Sequence, residues 1–412
     1  MKILFLTDNF PPETNAPASR TFEHAREWVL AGHEVTVVTS APNFPDGKVH
    51  DGFRNSWCTR SEIDGINVVR VKTYITANEG FLKRTLDYLS FMVTSTIYSL
   101  AKTAPDVVIA TSPQFFTAVA GYIVSSIKRR PFILEIRDLW PASITAVGAM
   151  QPGVLVQQLE RLELFLYRKA SLIISVTESF RSNLSSRGID PNKIKVITNG
   201  VDLSLFKQQP VDLQLQKHLN LKDKFVVGYI GTHGMAHALE HLIQAAVQLR
   251  EDPRYVFLFV GAGAAKSKLQ KQANQQNLTN VIFLDLQPKN KMPNLWSLCN
   301  VSIIPLSNKP LFTTVIPSKI FECMSMGIPL LASLPCGEAT QIIESTNCGI
   351  VVEPESPDAI VKALNKLISS PLMLSEYAAS GQTAAIEFSR QRLATKMLGF
   401  IKLVHTEKSK DI

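Results

Sequence analysis

Residues 317–322, with the sequence Pro-Ser-Lys-Ile-Phe-Glu, combine a helix start, a cation and a carboxylate. Pro317 suits the first turn of a helix, which leaves the amides of the next three residues available to an anion. Lys319 adds a positive charge at the same end. Glu322 lies on the same helix face, where a carboxylate can accept both hydroxyls of a ribose. The pattern favours a nucleoside diphosphate site, and an amphipathic helix with an exposed ion pair is the alternative.

Two loops in the same half carry glycines directly after predicted strands. Gly231-Thr232-His233-Gly234 follows a strand that ends at Ile230, and Gly261 begins a similar loop after Tyr255–Val260. Glycines let the backbone approach a phosphate, and a following helix supplies amides and partial positive charge. A plain turn explains the first loop equally well and is favoured for the second. Asn199 begins an Asn-Gly turn at the junction of the two halves and joins these candidates.

In the first half, Asp138 follows a predicted strand at Phe132–Ile136. Residues at the carboxyl ends of parallel strands are where α/β proteins bind ligands. Asp138 is therefore a candidate for orienting or deprotonating the hydroxyl of an acceptor substrate. A helix cap or an ion pair with Arg137 explains it equally well.

Other residues of the first half are expected on the same rim. The loop from Asp8 carries Glu13 and leads into a helix whose first turn contains Arg20. Solvent-exposed loop residues are the competing interpretation. The candidates for contact with an acceptor are Glu13, Arg20, Arg137 and Trp140.

Short β-branched runs alternate with helical patterns through both halves, which indicates an α/β protein with parallel sheets covered on both faces. We predict two Rossmann-like, doubly wound domains that face a ligand cleft. The predicted divisions are residues 1–200, residues 201–385, and a C-terminal helix with a polar tail at 386–412 that crosses back to the first domain. The predicted strands include Ile3–Leu6, Glu34–Thr39, Val68–Val71, Val107–Thr111, Phe132–Ile136, Leu172–Ser175, Ile194–Ile197, Phe225–Ile230, Tyr255–Val260, Val281–Leu284, Val301–Ile304, Pro329–Ala332 and Gly349–Val352.

Composition restricts the class of protein. The chain has 412 residues, 45% hydrophobic and 19% charged, which is typical of two globular domains. Its net charge of +8 is spread over both halves, and without a basic tract we expect no nucleic acid partner.

Cysteines and histidines give no metal pattern. The five cysteines form no CxxC pair and indicate reduced thiols of a cytosolic protein. His233, His237 and His241 recur every four residues, but no Cys or carboxylate set accompanies them. A polar helix face is favoured over a metal site.

No membrane-spanning helix is predicted. The charge-free stretch between Asp106 and Lys128 contains Pro, Gly and several Ser and Thr, so it is interpreted as a strand followed by a helix. Gly80–Leu86, Tyr88–Leu100 and Lys128–Arg130 are a candidate basic, apolar surface for docking on a bilayer. Helices packed on a sheet would be equally apolar.

These motifs, in this order, resemble the family 4 glycosyltransferases, which are retaining enzymes of the GT-B fold. The resemblance covers essentially the whole chain. The segments that carry it are Gly32–Thr39, Asn199–Asp202 with Phe206, Val281–Leu284 through Trp296, Val301–Pro305 and Glu322–Ala332.

Arg137–Pro141 with Pro317–Lys319 looks most like a bacterial branch that builds O-antigen or capsule on a lipid carrier. Members of that branch move fucosamine or related amino sugars from a UDP donor to a polyprenyl-diphosphate-linked saccharide. The resemblance implies that Glu322 holds the ribose and that Lys319, Ser318 and the Gly231 loop hold the diphosphate. It places Asp138 near the reacting hydroxyl. It also implies transfer without metal or cofactor by a cytoplasmic protein at the inner membrane surface.

The sequence departs from the family at two places. Thr314 stands where the first of two glutamates eight residues apart is usual, so recognition of the donor sugar cannot be carried over. Met235-Ala236-His237 stands where Arg and Lys commonly follow the glycine loop. Lys319 is expected to replace their charge, and His237 contributes only when it is protonated.

Two other functions stay open. A UDP-sugar 2-epimerase shares the two-domain architecture and would convert its sugar without an acceptor. A non-catalytic subunit that binds a nucleotide sugar is the other alternative, because Thr314 replaces a glutamate.

Overall fold

The computed structural model describes residues 1–44, 47–76, 81–112, 114–141 and 153–410. The chain divides into two compact units. Unit 1 comprises Met1–Thr198 and the segment that begins at Arg390, and unit 2 comprises Asn199–Ser389. The predicted divisions after residues 200 and 385 lie two and four residues from these boundaries.

Residues 1–198 alternate strands and helices. The strands are β1 (Lys2–Leu6), β2 (Glu34–Ser40), β3 (Cys58–Ile63), β4 (Ile66–Val71), β5 (Val107–Thr111), β6 (Phe132–Ile136), β7 (Leu172–Ser175) and β8 (Ile194–Val196). The helices are α1 (Ala16–Leu30), α2 (Phe81–Lys102), α3 (Phe115–Lys128), α4 (Val154–Lys169) and α5 (Glu178–Ser186).

Residues 199–389 repeat the alternation. The helices are α6 (Leu213–His218), α7 (Glu240–Gln248), α8 (Lys266–Gln275), α9 (Met292–Trp296), α10 (Lys319–Met326), α11 (Glu338–Ser345), α12 (Pro357–Ile368) and α13 (Pro371–Ala385). The strands are β9 (Phe225–Ile230), β10 (Tyr255–Val260), β11 (Val281–Leu284), β12 (Val301–Pro305), β13 (Leu330–Ser333) and β14 (Gly349–Val352).

The last helix, α14 (Arg390–Lys410), belongs to unit 1 although unit 2 precedes it in the chain. It packs on α1, where the indole Nε1 of Trp28 donates a hydrogen bond to the carbonyl of Ala394 at 2.9 Å. Met397 and Ile401 join Trp28 in one buried cluster. The core of unit 1 is therefore built from two segments far apart in sequence.

Both sheets are doubly wound, which confirms the predicted α/β class. Unit 1 has the strand order β3-β4-β2-β1-β5-β6-β7-β8, in which only β3 runs antiparallel to its neighbour among the described pairs. Unit 2 has the all-parallel order β11-β10-β9-β12-β13-β14. Connections reverse between β1 and β5 in unit 1 and between β9 and β12 in unit 2. Such switch points are where this fold binds ligands, at the carboxyl ends of the strands.

Strand β3 was not predicted from the sequence. It lies at the sheet edge, and its residues are exposed apart from a half-buried Ile63, so no hydrophobic alternation marks it. A signal was nevertheless present, because Asp64-Gly65 joins β3 to β4 with a positive φ at both residues. Asp-Gly between two short strands is a strong hairpin pattern.

The charge-free stretch forms β5 and α3, as predicted. None of the described helices combines the length and apolar character that crossing a bilayer requires.

Candidate functional site

The two glycine loops of unit 2 are bonded to each other at the carboxyl ends of β9 and β10. The amide of Gly231 donates to the carbonyl of Val260 at 2.9 Å, and the amide of His233 donates to Ala262 at 2.8 Å. The carbonyl of His233 in turn accepts a hydrogen bond from Ala265 at 2.9 Å. Because backbone groups make these bonds, the loops are held in place independently of most side chains.

Glycine is required at two of these positions. Gly231 and Gly261 have φ values of +149° and +143°, which L side chains rarely adopt. A Cβ on Gly231 would lie 2.7 Å from the Nζ of Lys319, and a Cβ on Gly261 would lie 2.0 Å from the carbonyl oxygen of Gly231. These glycines therefore allow the loops to touch each other and allow Lys319 to reach the first loop.

Lys319 lies against the face of Tyr229, a contact that no local sequence pattern predicts. Its Nζ is 4.0 Å from the ring centroid, a cation–π contact. The hydroxyl of Tyr229 donates to the carbonyl of Thr232 at 2.6 Å, so one side chain contacts both the cation and the glycine loop. Tyr229 lies within a continuously buried strand, and nothing in the local sequence distinguishes it from a core residue.

Within the part of the chain that the structure describes, the positive charge of Lys319 has no anionic partner at bonding distance. Burial lowers the pKa of its amine to about 8, although Cys323 and Glu322 raise that pKa. No carboxylate of the described residues lies within ion-pair distance of Nζ, and no acceptor among them forms a hydrogen bond with it. A half-buried cation without a partner is poised to bind an anion.

Helix α10 begins at Lys319, two residues later than predicted, with Ser318 as the N-cap. The predicted availability of three amides is wrong for Ile320, whose amide donates to the carbonyl of Pro317 at 3.1 Å. This bond tightens the first turn in the manner of a 3-10 helix. The amides of Ser318 and Lys319 have no hydrogen-bond partner among the described residues, so two donors point out of this end.

Glu322 lies in the first turn of α10, half-buried and close enough to raise the pKa of Lys319. Asn199 is half-buried at the first residue of unit 2, and no described residue forms a hydrogen bond with its side chain. Ribose binding by Glu322 and donor binding by Asn199 stay predictions.

His233 does not face a ligand, so its predicted contact is wrong. Its side chain is fully buried, with ring centroids 5.7 Å from Tyr229 and 6.1 Å from Phe259. Burial, followed by the charge of Lys266, lowers the pKa of the ring to about 4. Its amide is already bonded to Ala262. His233 is therefore part of the protein interior, and Thr232 and Gly234 are the loop residues that line the surface of the site.

The three histidines at four-residue spacing do not share a helix face. His233 lies in the glycine loop, His237 ends a 3-10 turn at Met235–His237, and His241 lies in α7. The described residues contain no group of three potential ligands placed for a metal ion.

Lys266 braces the second glycine loop. Its Nζ donates to the carbonyls of Gly261 and Leu284, both at 3.0 Å, and pairs with Asp285 at 2.5 Å. Lys266 therefore differs from Lys319, because its charge is paired and its Nζ is hydrogen-bonded within the protein.

In unit 1, Asp138 is half-buried directly after β6. Its amide lies 3.4 Å from the hydroxyl oxygen of Ser112. With Ser112, Trp140 and Tyr167 it lines a cavity of about 20 Å³. This volume accommodates one water molecule. The role of Asp138 toward an acceptor hydroxyl stays a prediction.

Two predicted acceptor contacts are wrong because the fold uses the side chains. Arg20 is fully buried; its Nε pairs with Glu135 at 2.8 Å, and its Nη atoms donate to the carbonyls of Thr198 and Ile197 at 2.6 and 2.8 Å. Glu13 is buried and accepts hydrogen bonds from three backbone amides, those of Phe10, Asn43 and Phe44.

Trp140 packs against Phe115, and its predicted contact with an acceptor stays a prediction. Its ring stacks on Phe115 with centroids 4.6 Å apart, and the residue is buried. Arg137 differs, because its Nη1 is shielded from solvent and has no hydrogen-bond partner among the described residues. Burial lowers the pKa of Arg137 to about 9, although Glu135 raises it. Its predicted role stays open.

Two carboxylates in unit 1 were not singled out from the sequence. Burial raises the pKa of Asp8, at the end of β1, and Asp87 and Glu13 raise it further. Burial also raises the pKa of Asp87, on α2, to about 7. The position of Asp8 after a predicted strand was an available signal, whereas nothing local indicated Asp87.

Two domain families match the chain, one in each half. Residues 15–200 match the glycosyl transferase 4-like domain. Residues 211–385 match the domain of glycosyl transferases group 1. Together they account for most of the sequence.

Curated relatives include proteins of bacterial polysaccharide synthesis. A colanic acid biosynthesis glycosyl transferase of Escherichia coli (strain K12), WcaI, is 27% identical over 383 residues, which cover 90% of this chain and 93% of the relative. An Escherichia coli UDP-Gal:alpha-D-GlcNAc-diphosphoundecaprenol alpha-1,3-galactosyltransferase is 28% identical over 192 residues, which cover 45% of this chain and 48% of the relative.

Solved structures share the fold over almost the whole chain. Sucrose-phosphate synthase from Thermosynechococcus elongatus has a TM-score of 0.79 at 16% identity, covering 98% of this chain and 99% of that one. HepE from Anabaena, solved in complex with UDP-glucose, has a TM-score of 0.71 at 21% identity, with the same coverage. The shared architecture is GT-B, with two Rossmann-like domains, as predicted.

Proposed function

From the premise that the chain is a glycosyltransferase of the GT-B fold, we propose that it transfers a sugar from a UDP-sugar to a saccharide carried on a polyprenyl diphosphate. The observation that carries the proposal is Lys319, a half-buried cation that no described residue pairs with, beside two helix amides that no described residue accepts from and a glycine loop. This arrangement suits a diphosphate, which accepts several hydrogen bonds and carries negative charge on both phosphates.

The choice of substrates is supported by named relatives. HepE was solved with UDP-glucose, and the galactosyltransferase relative is named for a diphosphoundecaprenol-linked acceptor. The WcaI relative is named for the synthesis of colanic acid. We extend these substrates to this chain, and from the family resemblance we propose an N-acetylated amino or deoxy sugar such as L-fucosamine, transferred during O-antigen or capsule synthesis.

In the proposed reaction, the bond between the donor sugar and the diphosphate breaks while the acceptor hydroxyl oxygen bonds to the same face of the sugar carbon, with retention, and the hydroxyl proton passes to an oxygen of the leaving diphosphate. The leaving diphosphate gains negative charge, which Lys319 and the amides of Ser318 and Lys319 stabilise. Glu322 binds the ribose, and Asp138 of unit 1 orients the acceptor hydroxyl. No metal or cofactor takes part in this scheme, because the lysine and amides supply the positive charge.

A panel of donors tests the site first. UDP, GDP and UDP-sugars should raise the melting temperature to different extents, and a uridine-specific rise supports the proposed nucleotide. Transfer is then measured with UDP-amino sugars and a polyprenyl-diphosphate-linked acceptor. Glu322→Ala should lose most of its activity. Undiminished transfer by this variant would refute the ribose assignment.

A binding protein without transfer activity is the second candidate. Thr314 has no carboxylate to offer the donor sugar, and its hydroxyl donates to the carbonyl of Leu311 at 3.0 Å within a 3-10 turn. Donor binding without transfer to any acceptor would favour this role. Conversion of the donor sugar in the absence of an acceptor would instead identify a 2-epimerase.

We also propose that unit 1 docks on the inner face of the cytoplasmic membrane. Leu86, Val93 and Ile97 are exposed along one face of α2, and Lys83 and Arg84 are exposed at its start. Apolar side chains beside cations suit an anionic bilayer surface.

The predicted docking surface needs correction at Lys128. Its Nζ donates to the carbonyls of Leu100 and Thr103 at 2.9 and 2.6 Å, so its charge is used to hold the end of α2. Arg129 and Arg130 are exposed. Gly80 lies outside the described residues, as do the side chains of Phe81 and Leu82.

Vesicles containing phosphatidylglycerol test the docking surface. The double variant Lys83→Gln and Arg84→Gln should bind them more weakly than the native protein. Lys362→Gln with Lys366→Gln, which removes the same charge from exposed positions on α12, is the matched control. Equal binding by both double variants would exclude this surface.

A further inference from the structure

His237 ends the 3-10 turn that directly follows the first glycine loop. Ser307 holds this turn in place, because its amide donates to the carbonyl of Ala236 at 2.9 Å and its hydroxyl donates to the same carbonyl at 3.2 Å. A methyl group built on Gly234 would lie 3.7 Å from the Cδ2 of His237. The ring therefore lies over the loop that we assign to the diphosphate.

The same ring belongs to the surroundings of Lys319. The centroids of His237 and Tyr229 are 5.9 Å apart, and the Nζ of Lys319 lies over that tyrosine. Among the described residues, the titratable groups placed against His237 are Lys319 from the start of α10, His233 from the glycine loop and Tyr229 from β9. None of these is an anion at neutral pH.

Hydrogen bonding assigns the tautomer of the neutral ring. Nδ1 of His237 lies 3.4 Å from the carbonyl oxygen of Pro305 in β12. A carbonyl only accepts hydrogen bonds, so the neutral ring carries its proton on Nδ1 and presents a lone pair at Nε2. No described residue forms a hydrogen bond with Nε2.

We propose that His237 is a second ligand of the donor diphosphate and that it binds only by taking up a proton at Nε2. The inference rests on the proposed donor site. A phosphate oxygen offers lone pairs alone, so it cannot bond to an unprotonated Nε2. One proton from solvent attaches to Nε2, the Nδ1–H stays on Pro305, and the imidazolium donates to a phosphate oxygen.

Charge explains why the proton arrives with the ligand. In the protein alone, burial and, after it, the like charge of Lys319 lower the pKa of His237 to about 4, although the Pro305 carbonyl raises that pKa. A UDP-sugar brings negative charge on both phosphates, which favours the protonated ring. Lys319 alone leaves part of that charge unbalanced, and a protonated His237 supplies the second cation.

His233 provides a contrast within the same loop. Both of its ring nitrogens are buried, no described residue forms a hydrogen bond with them, and the rings of Phe259 and Phe283 lie against it. Of these two neighbouring histidines, only His237 is half-exposed beside the loop surface.

Calorimetry with UDP-glucose as the probe tests the proposal at pH 6.5. Lys319, with a pKa of about 8, is already protonated there, and the diphosphate diester does not titrate. The binding enthalpy is measured in buffers of different ionisation enthalpy, which reports the number of protons taken up. The native protein should take up roughly half a proton or more for each UDP-glucose bound.

Variants separate ligand binding from structure. His237→Gln should bind UDP-glucose about tenfold more weakly at pH 6.5 and take up almost no proton. His237→Arg carries a permanent charge, so it should restore affinity without proton uptake and remove the pH dependence between about 6 and 8. His218→Gln, at an exposed position on α6, is the control and should behave like the native protein.

The outcomes are distinguishable. Binding without proton uptake by the native protein, or equal uptake by His237→Gln, would overturn the role of His237 and leave the proposed donor site intact. If neither UDP-glucose nor UDP-N-acetylglucosamine binds the native protein, the donor site itself is wrong and the inference fails with it.

Discussion

Arg20 and Glu13 of unit 1 differ from Lys319 of unit 2 in whether the fold already uses their charges. In unit 1, Arg20 pairs with Glu135 and donates to two backbone carbonyls, and Glu13 accepts hydrogen bonds from three backbone amides. In unit 2, Lys319 contacts the face of Tyr229, and no described residue pairs with its charge. Whether a charged residue near a strand end serves the fold or is available to a ligand therefore depends on its partners in the folded protein.

The two kinds of charge should respond in opposite ways to removal. A buried ion pair loses stability when one partner is removed, because the other charge is left buried alone. A half-buried cation without a partner lowers the stability of the free protein. Removing that cation, or binding an anion to it, restores the lost stability. Removing a charge should therefore lower the free energy of unfolding in unit 1, whereas in unit 2 it should lower the affinity for an anion.

The largest effect is expected in unit 1 from Arg20→Leu. This change leaves the fully buried Glu135 carboxylate without its partner, and it should lower the free energy of unfolding by about 3–5 kcal/mol. Denaturant unfolding followed by tryptophan fluorescence measures it. The double variant Arg20→Leu with Glu135→Leu should regain much of the loss, and a single variant as stable as the native protein would contradict the structural role.

The next effect is expected in unit 2 from Lys319→Met. Affinity for UDP should fall about a hundredfold, because the variant loses the cation beside the phosphates. Stability should rise at neutral pH by up to about 3 kcal/mol, since the pKa of Lys319 lies near 8, below its ordinary value of 10.5. Partial exposure of the side chain makes this an upper limit. Calorimetry measures the affinity for UDP, and thermal melting measures the stability. A destabilised variant that still binds UDP would contradict both expectations.

The dependence of binding on pH sharpens the assignment of Lys319. A bound anion raises the pKa of the lysine above its value of about 8 in the free protein. The affinity contributed by its charge is therefore fully present below pH 8 and is lost as pH rises toward the pKa of the bound state. UDP-sugar binding measured between pH 7 and 10 should weaken by up to about tenfold per pH unit above 8. Lys319→Arg should remove this decline, because arginine stays charged.

The smallest effect is expected from Tyr229→Phe, which keeps the aromatic ring under Lys319 and removes the hydrogen bond to Thr232. The free energy of unfolding should fall by about 0.5–1.5 kcal/mol, and the affinity for UDP should fall a few-fold because the glycine loop loosens. Tyr255→Phe also removes one hydroxyl hydrogen bond, to Asn365 at 2.9 Å, and is the matched control. It should lose similar stability without any change in UDP affinity.

The fold was predicted well where strands are buried on both faces. Phe132–Ile136, Phe225–Ile230 and Tyr255–Val260 match the predicted bounds, because burial on both faces makes each one a continuous apolar run. The exposed edge strand β3 lacks that pattern and was missed. Local hydrophobicity thus predicts the interior of a parallel sheet better than its edge.

The candidate site was predicted in part, for a similar reason. The helix start at Lys319 and the glycine loop are local patterns, and the structure brings them together. Whether Arg20 or Glu13 faces a ligand depends on partners 115 and about 30 residues away in sequence, Glu135 and Asn43. Tyr229 acquires its role only by contact with Lys319, which lies far along the chain. Such pairings are products of the tertiary fold.

The return of α14 to unit 1 has a consequence for synthesis on the ribosome. Trp28 and its neighbours on α1 are covered by residues 393–401, which emerge only after all of Asn199–Ser389 has been translated. At about 5–20 residues per second, that delay is roughly 10–40 s. Throughout the delay an apolar strip of the nascent protein stays uncovered, and chaperones that shield such surfaces have a defined interval in which to act. Unit 2 can complete its own sheet first, so unit 1, although it begins the chain, is the last to be finished.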